Sequence, residues 1–372
     1  MLLRLILDRL LFLFGFYNAA NKLMTNFSLS KYIYFMDKLV LFNRKTCNSL
    51  LKKRTGESKF GQHIQTLTSI SNIYEQLENL DVTYVILGLP EDVGVFANHG
   101  KTGASKTWEA FITTLLNIQS NRFYNANRIL LLGHLDFSEE QDQMAKLNQS
   151  RKKDVLKSRK IVEQIDKQVT HIIYQIVLAG KTPIIIGGGH NNAYGNIKGT
   201  SLAYGKPINA INFDAHTDFR AEEGRHSGNG FSYALSEGFL NKYFVFGLHE
   251  NYTSDQILDT FENSENLDYN TYEALEVKNE LKFKKELKRA SAFVSENKFG
   301  LEIDCDAIEN IPSSALTPSG FSVNKVRYFV NYFAKNEHVA YLHICEGIAN
   351  KKKSNHVAKL ITYLVTDFIK ER

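Results

Sequence analysis

Ile211-Asn212-Phe213-Asp214-Ala215-His216-Thr217-Asp218-Phe219-Arg220 is the stretch on which the reading of this chain turns. With Ile208 and Ala210 ahead of it, it opens as a buried β-strand and then sets Asp214, His216 and Asp218 at alternate positions. Alternate side chains of an extended chain share one face. Three ligand-type groups are therefore expected to converge where an apolar strand ends. Carboxylate oxygens beside imidazole nitrogens suit divalent first-row metals, the oxygens favouring manganese or magnesium and the histidines arguing against calcium.

Working outward, Pro183-Ile184-Ile185-Ile186 predicts a short strand that opens into Gly187-Gly188-Gly189-His190. Residues 299–306 predict a strand ending on Asp304 and Asp306, again on one face, and residues 339–346 one that finishes on Glu346. Further strands are predicted over 82–88, 128–133 and 243–247, and helices over 62–80, 108–118, the segment running to Leu178, 275–289 and 355–370. Strands alternating with helices predict an α/β fold, a mostly parallel sheet covered on both faces. The glycine-rich loop at 90–104 has no GKS or GKT sequence, so a phosphate loop is not expected.

Singly, each polar group has a plain explanation: a histidine after glycines is a turn residue, and an Asp-x-Asp pair a solvated loop. Their joint occurrence at the ends of apolar strands is harder to dismiss. Four carboxylates in one cleft repel one another unless cations are present. Two divalent ions balance that charge and lower the pKa of a water held between them, which points to hydrolysis.

Composition excludes other classes. At 42.4 kDa with 43% hydrophobic residues the chain can bury a large core as one α/β domain or two smaller ones. The net charge of +5 is small and partly contributed by Lys351-Lys352-Lys353, so nucleic-acid binding is not expected. Cys47, Cys305 and Cys345 form no Cys-x-x-Cys pair, which fits a reducing, cytoplasmic location. The apolar run at 10–20 is too short for the ~20 residues that span a bilayer, so no membrane segment is expected. Residues 1–35 are read as an extension outside the catalytic fold, with a native start at Met36 and 36–372 as a single domain; a cleaved leader ending near Ala20 is the alternative.

Gly-Gly-Gly-His190, Asp214-Ala-His216-Thr-Asp218 and Asp304-Cys-Asp306, in that order, resemble the motifs of the arginase/agmatinase/formimidoylglutamase family, the ureohydrolases, over roughly residue 82 to the C-terminus. The resemblance implies a three-layer α/β/α fold with two Mn2+ ions per subunit at the strand ends and a homo-oligomeric assembly. It implies that His190 and Asp218 hold one ion and His216 and Asp306 the other, with Asp214 and Asp304 bridging. A metal-bridging hydroxide, oriented by Asp218, would attack the carbon of a small amidine or guanidine substrate. It places Arg220, Asn229 and Glu346 against the substrate, and makes Asp218 and Glu346 the catalytic pair, Glu346 facing the planar cation.

Departures from the family pattern also carry information. Phe231 stands where arginases carry a proton-shuttling histidine, with His226 nearby as a substitute; Glu309 replaces a third aspartate, and the loop at 315–320 is shortened. Arg220 resembles the formimidoylglutamase version of the motif and is suited to a substrate carboxylate. The expected activity is therefore conversion of N-formimidoyl-L-glutamate and water to L-glutamate and formamide. Arginase- or agmatinase-type hydrolysis of a guanidine, or a non-catalytic metal-binding sensor, are the alternatives.

Overall fold

Runs of β-branched and apolar residues become strands here because both faces of the sheet are covered, so they need no polar alternation. The computed structural model describes residues 38–70, 73–349 and 354–370. Nine strands form one sheet: β1 (Leu39–Leu41), β2 (Tyr84–Gly88), β3 (Ile129–Leu135), β4 (Thr182–Ile186), β5 (Ile208–Phe213), β6 (Leu240–Leu248), β7 (Leu267–Thr271), β8 (Phe299–Asp304) and β9 (Val339–Cys345). Their order is β1-β3-β2-β4-β9-β8-β5-β6-β7, and every neighbouring pair from β3 to β7 is parallel.

Helices cover both faces. Lys152–Leu178 and Asn192–Tyr204 pack on each other over one. Over the other, Thr107–Leu115, Val323–Ala334 and Ser354–Lys370 bury Phe111, Phe329, Val330, Ile361 and Leu364 against Ile86, Ile184, Ile211, Leu301 and Leu342. The expected three-layer α/β arrangement is what forms. The described residues from Val40 to Lys370 make one compact unit. The readings of residues 1–35 and of a start at Met36 lie outside the described residues. Among the described residues no helix is long and apolar enough to cross a membrane.

Two helices differ from expectation. Among the described residues of 62–80 the α-helix is confined to Ile73–Asn79, because Gln65 is taken by the sheet: its N–H donates to Ile129 O and its carbonyl accepts from Leu131, each at 2.9 Å. In place of a helix over 275–289 there is a short π-helical turn, Glu273–Val277, followed by Phe283–Val294. Strand β7 and the helices Asn192–Tyr204 and Val323–Ala334 were not predicted, the first two being too polar to show an apolar period.

The sheet order positions the site. β4, β9, β8 and β5 are neighbours although they come from three separate parts of the chain, and all point the same way. Their carboxyl ends therefore share one rim, the usual place for a site in an open parallel sheet.

Candidate metal centre

His190 leaves β4 through a tight turn. Gly187 and Gly188 have φ of +90° and +76°. A Cβ on Gly188 would stand 2.5 Å from Asn192 Nδ2 and 2.8 Å from Leu89 O, so both conformation and space require glycine. Two buried carboxylates then hold consecutive N–H groups of the turn. Glu91 accepts from Gly189 N (3.1 Å) and Glu346 from His190 N (2.8 Å).

The segment after β5 does not stay extended. β5 stops at Phe213, Asp214 accepts the His216 N–H at 2.8 Å, and Asp218 takes a left-handed φ of +45°. The alternate-position reading of Asp214, His216 and Asp218 is corrected on this point: they meet through a turn, not along one face of a strand. The same holds after β8, where Cys305–Ala307 is a 3-10 turn and Asp304 accepts the Asp306 N–H at 2.7 Å. A carboxylate that accepts a backbone N–H two residues on folds its own chain back, and so brings the next acid round.

The outcome is a tight cluster. His190 Nδ1 lies 3.2 Å from Asp214 Oδ2, 2.8 Å from Asp218 Oδ2 and 3.0 Å from Asp304 Oδ2. His216 Nδ1 lies 3.4 Å from the other oxygen of Asp214 and 3.9 Å from Asp306 Oδ2. His190, Asp214, Asp304 and Asp306 are buried, whereas the His216 side chain is 29% exposed and stacks on Tyr252. All six expected ligands are thus brought together.

Crowding shows in their protonation. Burial, then the charges of Asp214 and Asp306, pushes the Asp304 carboxyl well above the usual range. Burial and the neighbouring Asp214 raise Asp218 as well. Asp214 goes the other way: burial disfavours its charge, but the facing rings of His190 and His216 outweigh that and hold it low.

The donors fit divalent cations on grounds internal to this fold. Among the described residues no lysine or arginine pairs with these four aspartates. His190 Nδ1 is buried among them without a well-directed hydrogen bond. A buried cluster of acids that meets only histidines, and no lysine or arginine, is arranged to receive a cation.

Glu346 is buried with φ of +60°, its Oε1 engaged by His190 N and its Oε2 without a partner. Burial and the charge of Asp306 lift it to about 8. A buried carboxylate oxygen without a donor suits a planar amidinium.

Arg220 is 56% exposed, with Nη1 donating to Asn98 Oδ1 at 2.7 Å and Nη2 3.7 Å from Glu223. Asn229, expected to touch substrate, is engaged elsewhere. Its Oδ1 accepts from Arg225 and His226 N, and its Nδ2 donates to Ala221 O and Gly224 O. Both ends of the amide are occupied, so no polar atom remains for a ligand.

His226 is likewise tied into its turn, Nδ1 accepting from Gly228 N at 3.1 Å and Nε2 lying 3.5 Å from Glu223. Burial and the guanidiniums of Arg159, Arg220 and Arg225 lower it to about 3. Phe231 is buried, its ring edge-on to His190 at 5.3 Å.

Residues 82–369 match the arginase family. The chain belongs to the arginase family. As a member of it, the chain is a hydrolase of carbon–nitrogen bonds other than peptide bonds, in linear amidines. A formimidoylglutamase of Streptococcus pyogenes is 25% identical over 297 residues, covering 76% of this chain and 84% of that protein. The solved formiminoglutamase of Trypanosoma cruzi with Mn2+2 superposes with a TM-score of 0.65 at 17% identity, over 85% of this chain and 98% of that one. Formimidoylglutamase from Bacillus subtilis gives 0.65 at 18%, over 85% and 93%. At such identities the two structures speak to the fold.

Sequence reasoning missed the supporting carboxylates. Glu91 sits in the loop read only as glycine-rich, and Glu302 was passed over as part of an apolar strand. The signal was present: an acid inside a run otherwise as apolar as a parallel strand requires is itself a flag.

Proposed function

We propose that this arginase-family chain hydrolyses N-formimidoyl-L-glutamate to L-glutamate and formamide with two manganese ions. The observation that carries the chemistry is the buried cluster of Asp214, Asp218, Asp304 and Asp306 around His190 and His216, to which no lysine or arginine among the described residues is paired. His190 and Asp218 would hold one ion and His216 and Asp306 the other, with Asp214, whose two oxygens face the two histidines, and Asp304 shared. When bound, the ions neutralise the carboxylates and make water a usable nucleophile near neutral pH.

The chain's own groups do the rest. Glu346 Oε2 pairs with the amidinium and turns its carbon toward the attacking water. Asp218 takes a proton from that water at a carboxylate oxygen and returns it to the glutamate nitrogen as the carbon–nitrogen bond breaks. Phe231, against the His190 ring and stacked on Tyr243 at 4.2 Å, shields one side of that ring from water. Arg220, at the exposed rim, pairs with a substrate carboxylate, and the names of the curated relatives support the same substrate. A cytoplasmic location, in keeping with three free buried cysteines, and a homo-oligomeric assembly belong to this proposal.

The test is turnover of manganese-loaded protein on N-formimidoyl-L-glutamate, L-arginine and agmatine side by side. Formamide from the dicarboxylate supports the reading. Urea from either guanidine would keep the centre and discard the substrate. Manganese bound with no turnover on any of the three would make the chain a binding protein.

A further inference from the structure

Behind His190, on the side away from the aspartates, stands a second buried acid. In β8 Leu301 and Ile303 face the apolar core, so Glu302 points to the other face of the sheet. It is paired in register with His343 of β9. Its Oε1 accepts from Tyr341 Oη at 2.7 Å and its Oε2 is 2.6 Å from His343 Nδ1; the same Oε2 stands 3.5 Å from His190 Nε2, a buried nitrogen with no hydrogen-bond partner. Glu302, His343 and His190 are fully buried.

We infer that Glu302 is the positioning residue of the metal centre, held by Tyr341 and His343 so that it fixes the ring of His190 with its Nδ1 lone pair toward the aspartates. The inference rests on the proposal that His190 is a ligand. A neutral imidazole that gives Nδ1 to a cation carries its proton on Nε2. That N–H is buried, and the carboxylate facing it is Glu302. His343 and Cys345 also lie within 4.8 Å of a His190 ring nitrogen, but neither serves as well. His343 gives Nδ1 to Glu302 and its Nε2 makes no hydrogen bond to the His190 ring, a thiol is a weak acceptor, and only Glu302 brings a charge.

Two hydrogen bonds prevent Glu302 from turning away, which is why Tyr341 and His343 belong to the device. A metal-bound histidine whose outer nitrogen loses its carboxylate typically costs 10- to 100-fold in metal affinity.

The experiment is Mn2+ binding by isothermal titration to the full chain and to Glu302→Leu and Glu302→Gln, each first checked for folding by circular dichroism. Leucine removes the acceptor, and affinity is expected to fall by roughly 10- to 100-fold. Glutamine keeps an acceptor without the charge and should recover most of the loss, a rescue that simple disruption of packing would not produce. Folded Glu302→Leu binding Mn2+ as tightly as the unaltered chain overturns the inference, as does a glutamine variant no better than the leucine one.

If Glu302→Leu does not fold, the decision passes to the unaltered protein labelled with [15N]histidine and loaded with Zn2+, its His190 signals assigned with His190→Asn. A proton on Nε2 supports the inference and a bare Nε2 ends it. No Mn2+ binding by the unaltered chain would instead defeat the ligand assignment on which this rests.

Discussion

Two buried charged clusters lie close together in this molecule, and they are built in opposite ways. In one, Arg225 donates from Nε to Asp166 at 2.9 Å, from Nη2 to Asn191 O at 2.9 Å and from Nη1 to Asn229 Oδ1, and its guanidinium lies over the rings of Tyr194 and Tyr233. Every charge there has a counter-charge from the same chain. In the other, four aspartates face two histidines and, among the described residues, no arginine or lysine. The first is complete when the chain folds. The second is complete only with something added, and that difference separates a structural cluster from a site.

The sharpest way to break the comparison is to remove one charge from each. Asp304→Asn is expected to lower turnover by roughly 10²- to 10³-fold or more. It should leave the metal-free fold as stable as before, or more so, because it relieves repulsion. Arg225→Met strands Asp166 in the interior and should cost about 3–5 kcal/mol of folding stability. Urea denaturation of the metal-free proteins measures both, and a metal-free Asp304→Asn as destabilised as Arg225→Met would erase the distinction.

Adding the missing cation should sharpen it. Mn2+ at 100 times its dissociation constant is expected to stabilise the chain by about 2.7 kcal/mol for each site filled. Asp304→Asn should lose most of that gain and Arg225→Met should keep it, provided the latter folds. Thermal melts with and without Mn2+ read the effect.

A smaller effect is expected at the rim. Arg220→Ala should raise KM for the dicarboxylate about 5- to 10-fold with kcat within about 3-fold, the pattern for a group that binds substrate and transition state alike. An unchanged KM would return Arg220 to the surface, paired only with Asn98 and Glu223.

A pH effect of similar size is expected on the arginine side. His226 is held neutral in the fold at about 3, against an ordinary value of 6.5. The unfolded chain takes up a proton there first, so stability is lost as pH falls below about 6.5. Between pH 7 and pH 5 the unaltered chain should lose about 1–2 kcal/mol more than His226→Asn, by urea denaturation at each pH. Equal losses would mean that the ring is not held neutral.

Much of the site was legible because its groups travel in short phrases. The glycines before His190, and the acids of the two Asp-x-Asp turns, each announce a chain that must bend at the end of an apolar strand. The route by which they meet was misread, since a turn and an extended strand can present the same alternate residues. Asn229 was misplaced for a related reason: its neighbour Arg225, which claims its oxygen, gives no local sign of being buried. The backing of His190 by Glu302, His343 and Tyr341 was illegible because it depends on the register of β8 with β9.

By itself, then, the sequence determined which residues could ligate metal, that they would sit where strands end, and that a parallel α/β sheet would carry them. These follow from covalent neighbours and from the period of apolar side chains. Only the tertiary structure decided that β4, β9, β8 and β5 lie side by side, that Glu91 and Glu346 hold the His190 turn, and that one buried charge cluster is self-paired while the other is not. Strand order and charge compensation are set by contacts between residues far apart in the chain, 59 positions for Arg225 with Asp166, 98 for Glu91 with Gly189 and 156 for Glu346 with His190, which leave no mark on either local stretch.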